Sequence, residues 1–172
     1  MQRRMNALWF RLMALEYRVK TSAVLPTLVD AGIRRGMRVL DFGCGPGRYA
    51  LPAAELVGGE GAVFAADIHP LAIMMVQRGA RQRSLLNVHA MRTDCATGLP
   101  PGSIDMVLLY DALHDVVDKD SVLRELRRVL VSDGRIQYKD HTLSGMEVVS
   151  LMRASGFCPA GESTLQITFA RC

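Results

Sequence analysis

The segment Val39-Leu40-Asp41-Phe42-Gly43-Cys44-Gly45-Pro46-Gly47 constrains this chain more than any other. An apolar strand pattern runs into a turn of alternating glycines, and a helical pattern follows at once. Such a turn bends sharply and lets backbone approach a ligand closely, while the first N–H groups of the following helix remain free to donate. In open α/β sheets ligands bind outside the carboxyl ends of the strands, where strand order reverses. The turn is therefore expected to be a binding element.

The surrounding pattern agrees. From Met37 onward, apolar strand patterns at 38–42, 62–67, 88–92, 104–110 and 135–140 alternate with helical patterns at 49–57, 71–83 and 121–130. The strands are apolar almost throughout, as parallel strands covered on both faces are. This predicts a doubly wound, mostly parallel α/β sheet. Ser144 and Glu147 form a capping box that starts a further helix, which Gly156 stops. Strand patterns at 157–162 and 165–171 then lie too close for a helical crossover, so the sheet should end in an antiparallel hairpin with one reversed strand. Seven strands in all are expected.

At 172 residues there is room for one compact domain, and 49% hydrophobic with 22% charged residues exclude disorder as its main state. The net charge of +4 is spread over dispersed arginines, which argues against a nucleic-acid surface. No apolar run approaches a bilayer span. Arg11 and Glu16 interrupt the opening apolar stretch where a signal peptide needs continuity, so the cytoplasm is the expected compartment. Cys44, Cys95, Cys158 and Cys172 show no metal-site spacing and are expected to be reduced thiols.

Residues 3–20 read as a basic amphipathic helix, with Met5, Leu8, Leu12, Leu15 and Val19 on one face and Arg4, Arg11 and Arg18 on another. A short helix over 23–31 follows, with Pro26 in its first turn and Gly32 beyond its end. Residues 1–35 are thus expected to cap the ligand end of a domain spanning 36–172. The apolar face of the first helix suits closure over a pocket, pairing with its copy in a homodimer, or peripheral contact with a membrane surface.

The ligand is not a dinucleotide by pattern, since Arg48 stands where the fingerprint G-x-G-x-x-G needs its third glycine. Asp41 before the turn is a poor neighbour for pyrophosphate and a good one for a cationic ligand. Asp67 ends the second strand, where such folds place a carboxylate for ribose hydroxyls. Asp94, past the third strand, offers an acceptor for an exocyclic amine.

The ordered motifs VLDFGCGPG, AADIHP, TDCATGLP, IDMVLLYDALHD and ELRRVLVSDGRI closely resemble those of class I S-adenosylmethionine-dependent methyltransferases. Within that family the likeness is greatest to the small-molecule, ubiquinone/menaquinone-biosynthesis-type branch, over roughly residues 36 to 142. The resemblance implies a Rossmann-like methyltransferase fold. It also implies S-adenosylmethionine as cofactor, bound by Asp41, Phe42, Gly43, Cys44, Gly45, Asp67, Ile68, Asp94 and Cys95. Asp41 would lie near the cofactor's amino group, Asp67 on the ribose, Ile68 on the adenine face, and Asp94 and Cys95 at the adenine edge. Tyr110 would border the transferred methyl. The implied reaction is direct displacement to a small-molecule acceptor, for which alignment of the reacting atoms supplies much of the rate.

Tyr110-Asp111-Ala112-Leu113 departs from the Asn/Asp-Pro-Pro-Tyr/Phe signature of DNA amine methylation, so a nucleic-acid acceptor is not expected. Catalytic candidates are Tyr110, Asp111, His114 and His141. A histidine acts near neutral pH when a carboxylate orients it; Asp111 or Asp115 would serve His114, and Asp140 would serve His141. The acidic residues around His114 read as solvated charges before a helix, with no resident metal expected. Two other functions fit the same motifs: a catalytically silent adenosyl-binding module, and an NAD-binding regulatory domain.

Overall fold

The computed structural model describes residues 24–163 and 166–172. The amphipathic helix expected over 3–20, with its proposed covering, pairing and membrane roles, lies outside them. Five helices and seven strands are described: α1 (Val24–Asp30), β1 (Arg38–Phe42), α2 (Ala50–Val57), β2 (Ala62–Asp67), α3 (Pro70–Gln82), β3 (Val88–Arg92), β4 (Ile104–Tyr110), α4 (Lys119–Val129), β5 (Leu130–Lys139), α5 (Gly145–Ala154), β6 (Phe157–Glu162) and β7 (Ile167–Arg171). A single 3-10 turn, Leu113–Asp115, follows β4.

The strands form one sheet in the order β3-β2-β1-β4-β5-β7-β6. All neighbours pair in parallel up to β5, and β7 runs antiparallel to both β5 and β6. The one reversed strand, β7, lies between β5 and the edge strand β6, and the short connection before it accounts for its direction. After β3 the chain crosses back to place β4 on the other side of β1, so the strand order reverses at β1/β4 with the glycine turn above it.

Alternation along the strands fills two cores. Leu40, Val107, Leu109 and Ile136 meet Val122, Leu123 and Leu126 of α4 and Val148 and Met152 of α5 on one face. Val39, Val63, Met106 and Leu108 meet α1, α2 and α3 on the other. Apolar burial on both faces is the main stabilising term, at roughly 25 cal/mol per Å² removed from water. The helix starts are fixed locally. His69 accepts the Leu71 N–H ahead of Pro70, Asp118 accepts the Ser121 N–H at 3.0 Å, and Ser144 and Glu147 close the expected capping box. Buried amides tie α1 to the sheet: Gln137 donates to the Ala31 carbonyl at 2.9 Å and accepts from the Thr168 hydroxyl at 3.0 Å.

Two boundaries move from their predicted places. The strand expected over 135–140 begins at Leu130, which already pairs with Ile104 before the register shifts and Arg135 meets Met106. The polar run Ser132-Asp133-Gly134 hides that extension in the pattern. The helix expected from 121 starts at Lys119, because its cap is Asp118.

The expectation of four reduced thiols is overturned, since Cys158 and Cys172 form a disulfide. The antiparallel register explains it. Cys158 opposes Ala170, and Cys172 donates its N–H to the Gly156 carbonyl, so the two cysteines are diagonal neighbours on one face with Cα atoms 5.1 Å apart. Denatured, unreduced protein should therefore show two titratable thiols, those of Cys44 and Cys95. Cys172→Ser should lower the unfolding midpoint, since closing a loop of this length is worth about 3 kcal/mol in the chain-entropy account. A count of four thiols in protein purified without reductant would remove the cross-link.

Candidate functional site

The glycine turn takes its shape from backbone that only glycine adopts easily. Gly43 (φ 82°) and Gly45 (φ 51°) both lie in the left-handed region. A Cβ at Gly43 would overlap the Ala112 methyl, so the turn packs directly on the segment leaving β4. A Cβ at Gly45 would meet nothing within 4 Å, and there the turn opens toward space a ligand can enter. The N–H groups of Gly43 and Cys44 both donate to the Ala66 carbonyl, at 2.8 and 3.0 Å, which moors the turn to β2. The side chains of Phe42 and Cys44 are buried in the two cores, so these two residues bring backbone rather than side-chain groups to the turn. Burial also pushes the Cys44 thiol well above its usual value.

Two carboxylates stand beneath this turn. Asp67 accepts the Gly45 N–H on Oδ2 at 2.8 Å and the His69 N–H on Oδ1 at 2.7 Å, which clamps the turn to the end of β2. Asp41 is 2% exposed, and its Oδ2 has no hydrogen-bond partner. Burial, then the charge of Asp67, pushes the Asp41 carboxyl up to about 7, against a smaller lowering by the Ala50 N–H. A buried carboxylate oxygen without a partner is costly in a resting protein and is satisfied by a cationic or donor group brought in from outside.

The remaining expected cofactor residues line the ends of β2, β3 and β4. Ile68 is 41% exposed beside Asp67, an apolar surface available for stacking. Asp94 is exposed, and the Cys95 N–H donates to the Thr93 hydroxyl at 3.1 Å, so a ligand using that N–H must share it or displace the hydroxyl. Tyr110 is buried with its ring edge on Tyr49, centroids 4.7 Å apart. Its hydroxyl donates to Oε1 of Gln166, whose amide donates to Asp30 Oδ2 at 2.9 Å. Burial raises the phenol well above its usual value. The Tyr110 ring therefore borders the site while its hydroxyl braces α1 against β7. Gln166 was not singled out in the sequence, because an isolated glutamine after a hairpin turn carries no periodic signal.

Past the ends of β4 and β5, the two histidines hydrogen-bond across the strands, where a partner within the same segment was expected for each. His114 Nδ1 lies 2.9 Å from Asp140 Oδ2, and His141 Nδ1 lies 2.9 Å from Asp111 Oδ1. Parallel pairing of β4 with β5, prolonged by the Asp111 N–H on the Lys139 carbonyl at 2.7 Å, brings the two segments alongside each other. Asp111 adopts φ 49°, a conformation aspartate tolerates better than most residues. The only expected partner that also approaches His114 is Asp115, 3.5 Å from Nε2. Hydrogen bonding to Asp111 raises the His141 pKa, and the His114 hydrogen bond helps hold Asp140 below the usual carboxylate value against its burial. Although no metal was expected here, Asp111, Asp140 and His141 bring ligand atoms within 4.8 Å of one another. One of its pairs, His141–Asp111, is the hydrogen bond just described.

Comparison with known proteins gives this arrangement a context. The family described as a methyltransferase domain matches residues 33–163. The chain is 35% identical over 112 residues to the ubiquinone/menaquinone biosynthesis C-methyltransferase UbiE of Serratia proteamaculans, covering 64% of this chain and 45% of that protein. It is 38% identical over 104 residues to the aklanonic acid methyltransferase DauC of a Streptomyces species, covering 60% and 47%. The chain thus spans under half the length of these curated relatives. The crystal structure of a SAM dependent methyltransferase from Aquifex aeolicus superposes with a TM-score of 0.84 over 96% of both chains, a likeness of fold at 20% identity. Among the described residues no helix is long and apolar enough to cross a membrane.

The Asp41 carboxylate, one of whose oxygens lacks a partner, makes a stability prediction. Its folded pKa is raised above the unfolded value, so the folded state binds the extra proton between about pH 4 and 7, and stability from this group falls as pH rises through that window. Asp41→Asn should therefore be more stable than wild type near pH 8, by about 4 kcal/mol at most, and unfold at a higher temperature. The gain should shrink toward about pH 4.5, where wild type carries the proton. Thermal melts across that range check it; a gain independent of pH would mean that Asp41 is not strained by its charge.

Proposed function

As the chain belongs to the class I S-adenosylmethionine-dependent methyltransferases, we propose that it binds that cofactor across the ends of β1–β3 and passes its methyl group to a small-molecule acceptor held over the ends of β4 and β5. The observation that carries this reading is the Asp41 oxygen, buried and without a partner at the end of β1, just ahead of the turn that opens at Gly45. It is the site for an ammonium group, and an ammonium next to a nucleoside is what this cofactor presents.

Bound there, S-adenosylmethionine supplies a methyl carbon made electrophilic by a sulfonium. The chain's own residues hold and orient. Asp41 pairs with the amino group. Asp67, already anchored by two backbone N–H groups, has lone pairs left for the ribose hydroxyls. Ile68 lies against the base, with Asp94 and the Cys95 N–H at its edge. The Tyr110 ring walls the methyl end, and Asp111, His114 and His141 line the acceptor side. Fixing donor and acceptor in this way converts a bimolecular displacement into an effectively unimolecular one. The cytoplasm remains the compartment we propose. Reduction of the Cys158–Cys172 bond there would leave the backbone pairing of β6 with β7 in place and would not touch the cofactor residues.

Calorimetric titration with S-adenosylmethionine, S-adenosylhomocysteine and NAD tests the cofactor assignment. The two adenosyl ligands should bind and NAD should not. Asp67→Ala should weaken both adenosyl ligands by about 100-fold, the order expected when hydrogen bonds to a charged group are lost from a buried site. Binding of NAD alone would favour a nucleotide-sensing domain. Adenosyl binding by a protein that transfers no methyl to any acceptor would favour the silent module.

A further inference from the structure

Methyl acceptors are of two kinds: those that already present a lone pair, and those that must first lose a proton. Only the second kind needs a base beside the methyl group. The Asp140 side chain has no exposed surface, and both its oxygens are engaged, Oδ2 by His114 Nδ1 at 2.9 Å and Oδ1 by the Thr142 N–H at 2.8 Å. A carboxylate held from both sides fixes the imidazole plane and makes Nδ1 the nitrogen that carries the proton, leaving a lone pair on Nε2. The His114 side chain is 20% exposed, so the ring is anchored inside with one edge reaching the surface.

The position matches the chemistry. His114 lies in the 3-10 turn two residues beyond Ala112, whose methyl abuts Gly43 of the glycine turn. The anchored ring therefore stands next to the cofactor cradle, on the side of β4 and β5. Asp115, exposed and 3.5 Å from Nε2, stabilises the imidazolium that forms when Nε2 takes a proton. The His141–Asp111 pair stands alongside, its ring 5.6 Å from that of His114 and its imidazole 77% exposed, between His114 and bulk water.

We propose that His114 is the general base of methyl transfer, that Asp140 is its positioning residue, and that the acceptors are protic nucleophiles, which lose a proton as they take the methyl. This rests on the methyl-transfer reading above. The acceptor's X–H bond breaks with its electron pair left on X and its proton taken by Nε2. That pair forms the X–CH3 bond as the C–S bond breaks, its electrons passing to sulfur and leaving a neutral thioether. The imidazolium then returns its proton to water.

The test uses the full chain, methyl-labelled S-adenosylmethionine, and four probes: a hydroquinone and acetylacetone as protic acceptors, pyridine and dimethyl sulfide as acceptors with no proton to lose. Label should pass to at least one protic probe. His114→Ala should lower kcat for it by about 100-fold with calorimetric affinity for S-adenosylmethionine within about threefold of wild type, the range general-base catalysis spans. Added imidazole should restore part of the loss, which a merely structural histidine would not allow. Asp140→Asn should lower kcat by about tenfold or more while leaving KM for the cofactor alone. Transfer only to pyridine or dimethyl sulfide would overturn the proposal. So would an unimpaired His114→Ala, or no transfer to any protic probe by protein that binds S-adenosylmethionine. Protein that fails to bind the cofactor at all contradicts the methyl-transfer reading instead, and the two failures are told apart by the calorimetry.

Discussion

Two carboxylates at adjacent strand ends, one anchored and one not, govern the geometry of this protein. Asp67 is anchored by backbone: the N–H groups of Gly45 and His69 fill one lone pair on each oxygen and lock the glycine turn to β2. Asp41 is the opposite case, buried beside that charge with Oδ2 unsatisfied. Like charges so placed in low dielectric disfavour ionisation, and a cation is what relieves them. The fold thus holds a local instability at the point where strand order reverses.

Other features keep that point rigid. The Ala112 methyl against Gly43 couples the glycine turn to the segment leaving β4, so the cofactor side and the acceptor side cannot move independently. Gln137, Gln166 and the Tyr110 hydroxyl form a buried polar seam between α1 and the last strands, each group satisfied by a named partner. Satisfied buried polar groups of this kind fix one arrangement where apolar packing alone would allow several. The reversed strand β7 supplies part of this seam. The hairpin therefore closes the sheet and also buttresses the wall on which Tyr110 sits.

Much of this was legible before any coordinates. Alternation between apolar strands and helical spacings gave the order of elements, and the short link before β7 gave the reversal, because both rest on local geometry. Asp41, Asp67 and the glycines were legible because their chemistry follows from position at strand ends. What stayed hidden depends on which strands lie side by side. The hydrogen-bond partners of His114 and His141 come from the pairing of β4 with β5, and sequence proximity pointed to Asp111 for the wrong histidine, though the neighbouring Asp115 does lie 3.5 Å from His114. The Cys158–Cys172 bond likewise follows from hairpin register, which no spacing rule for cysteines encodes. The early start of β5 was masked by the polar residues at its bulge.

In the proposed cofactor site, the positive charge of S-adenosylmethionine meets the Asp41 carboxylate, whose Oδ2 is buried without a partner. Calorimetric binding at about pH 6 in buffers of different ionisation enthalpy measures this pairing directly, through the protons exchanged per ligand. With the carboxyl titrating at about 7, most free protein is protonated there, so binding should release about one proton, and affinity should rise roughly tenfold per unit of pH up to neutrality. Asp41→Asn should abolish both effects. Binding of equal strength from about pH 5 to 7 with no proton released would contradict the account, because the buried carboxylate would then play no part in recognising the cofactor.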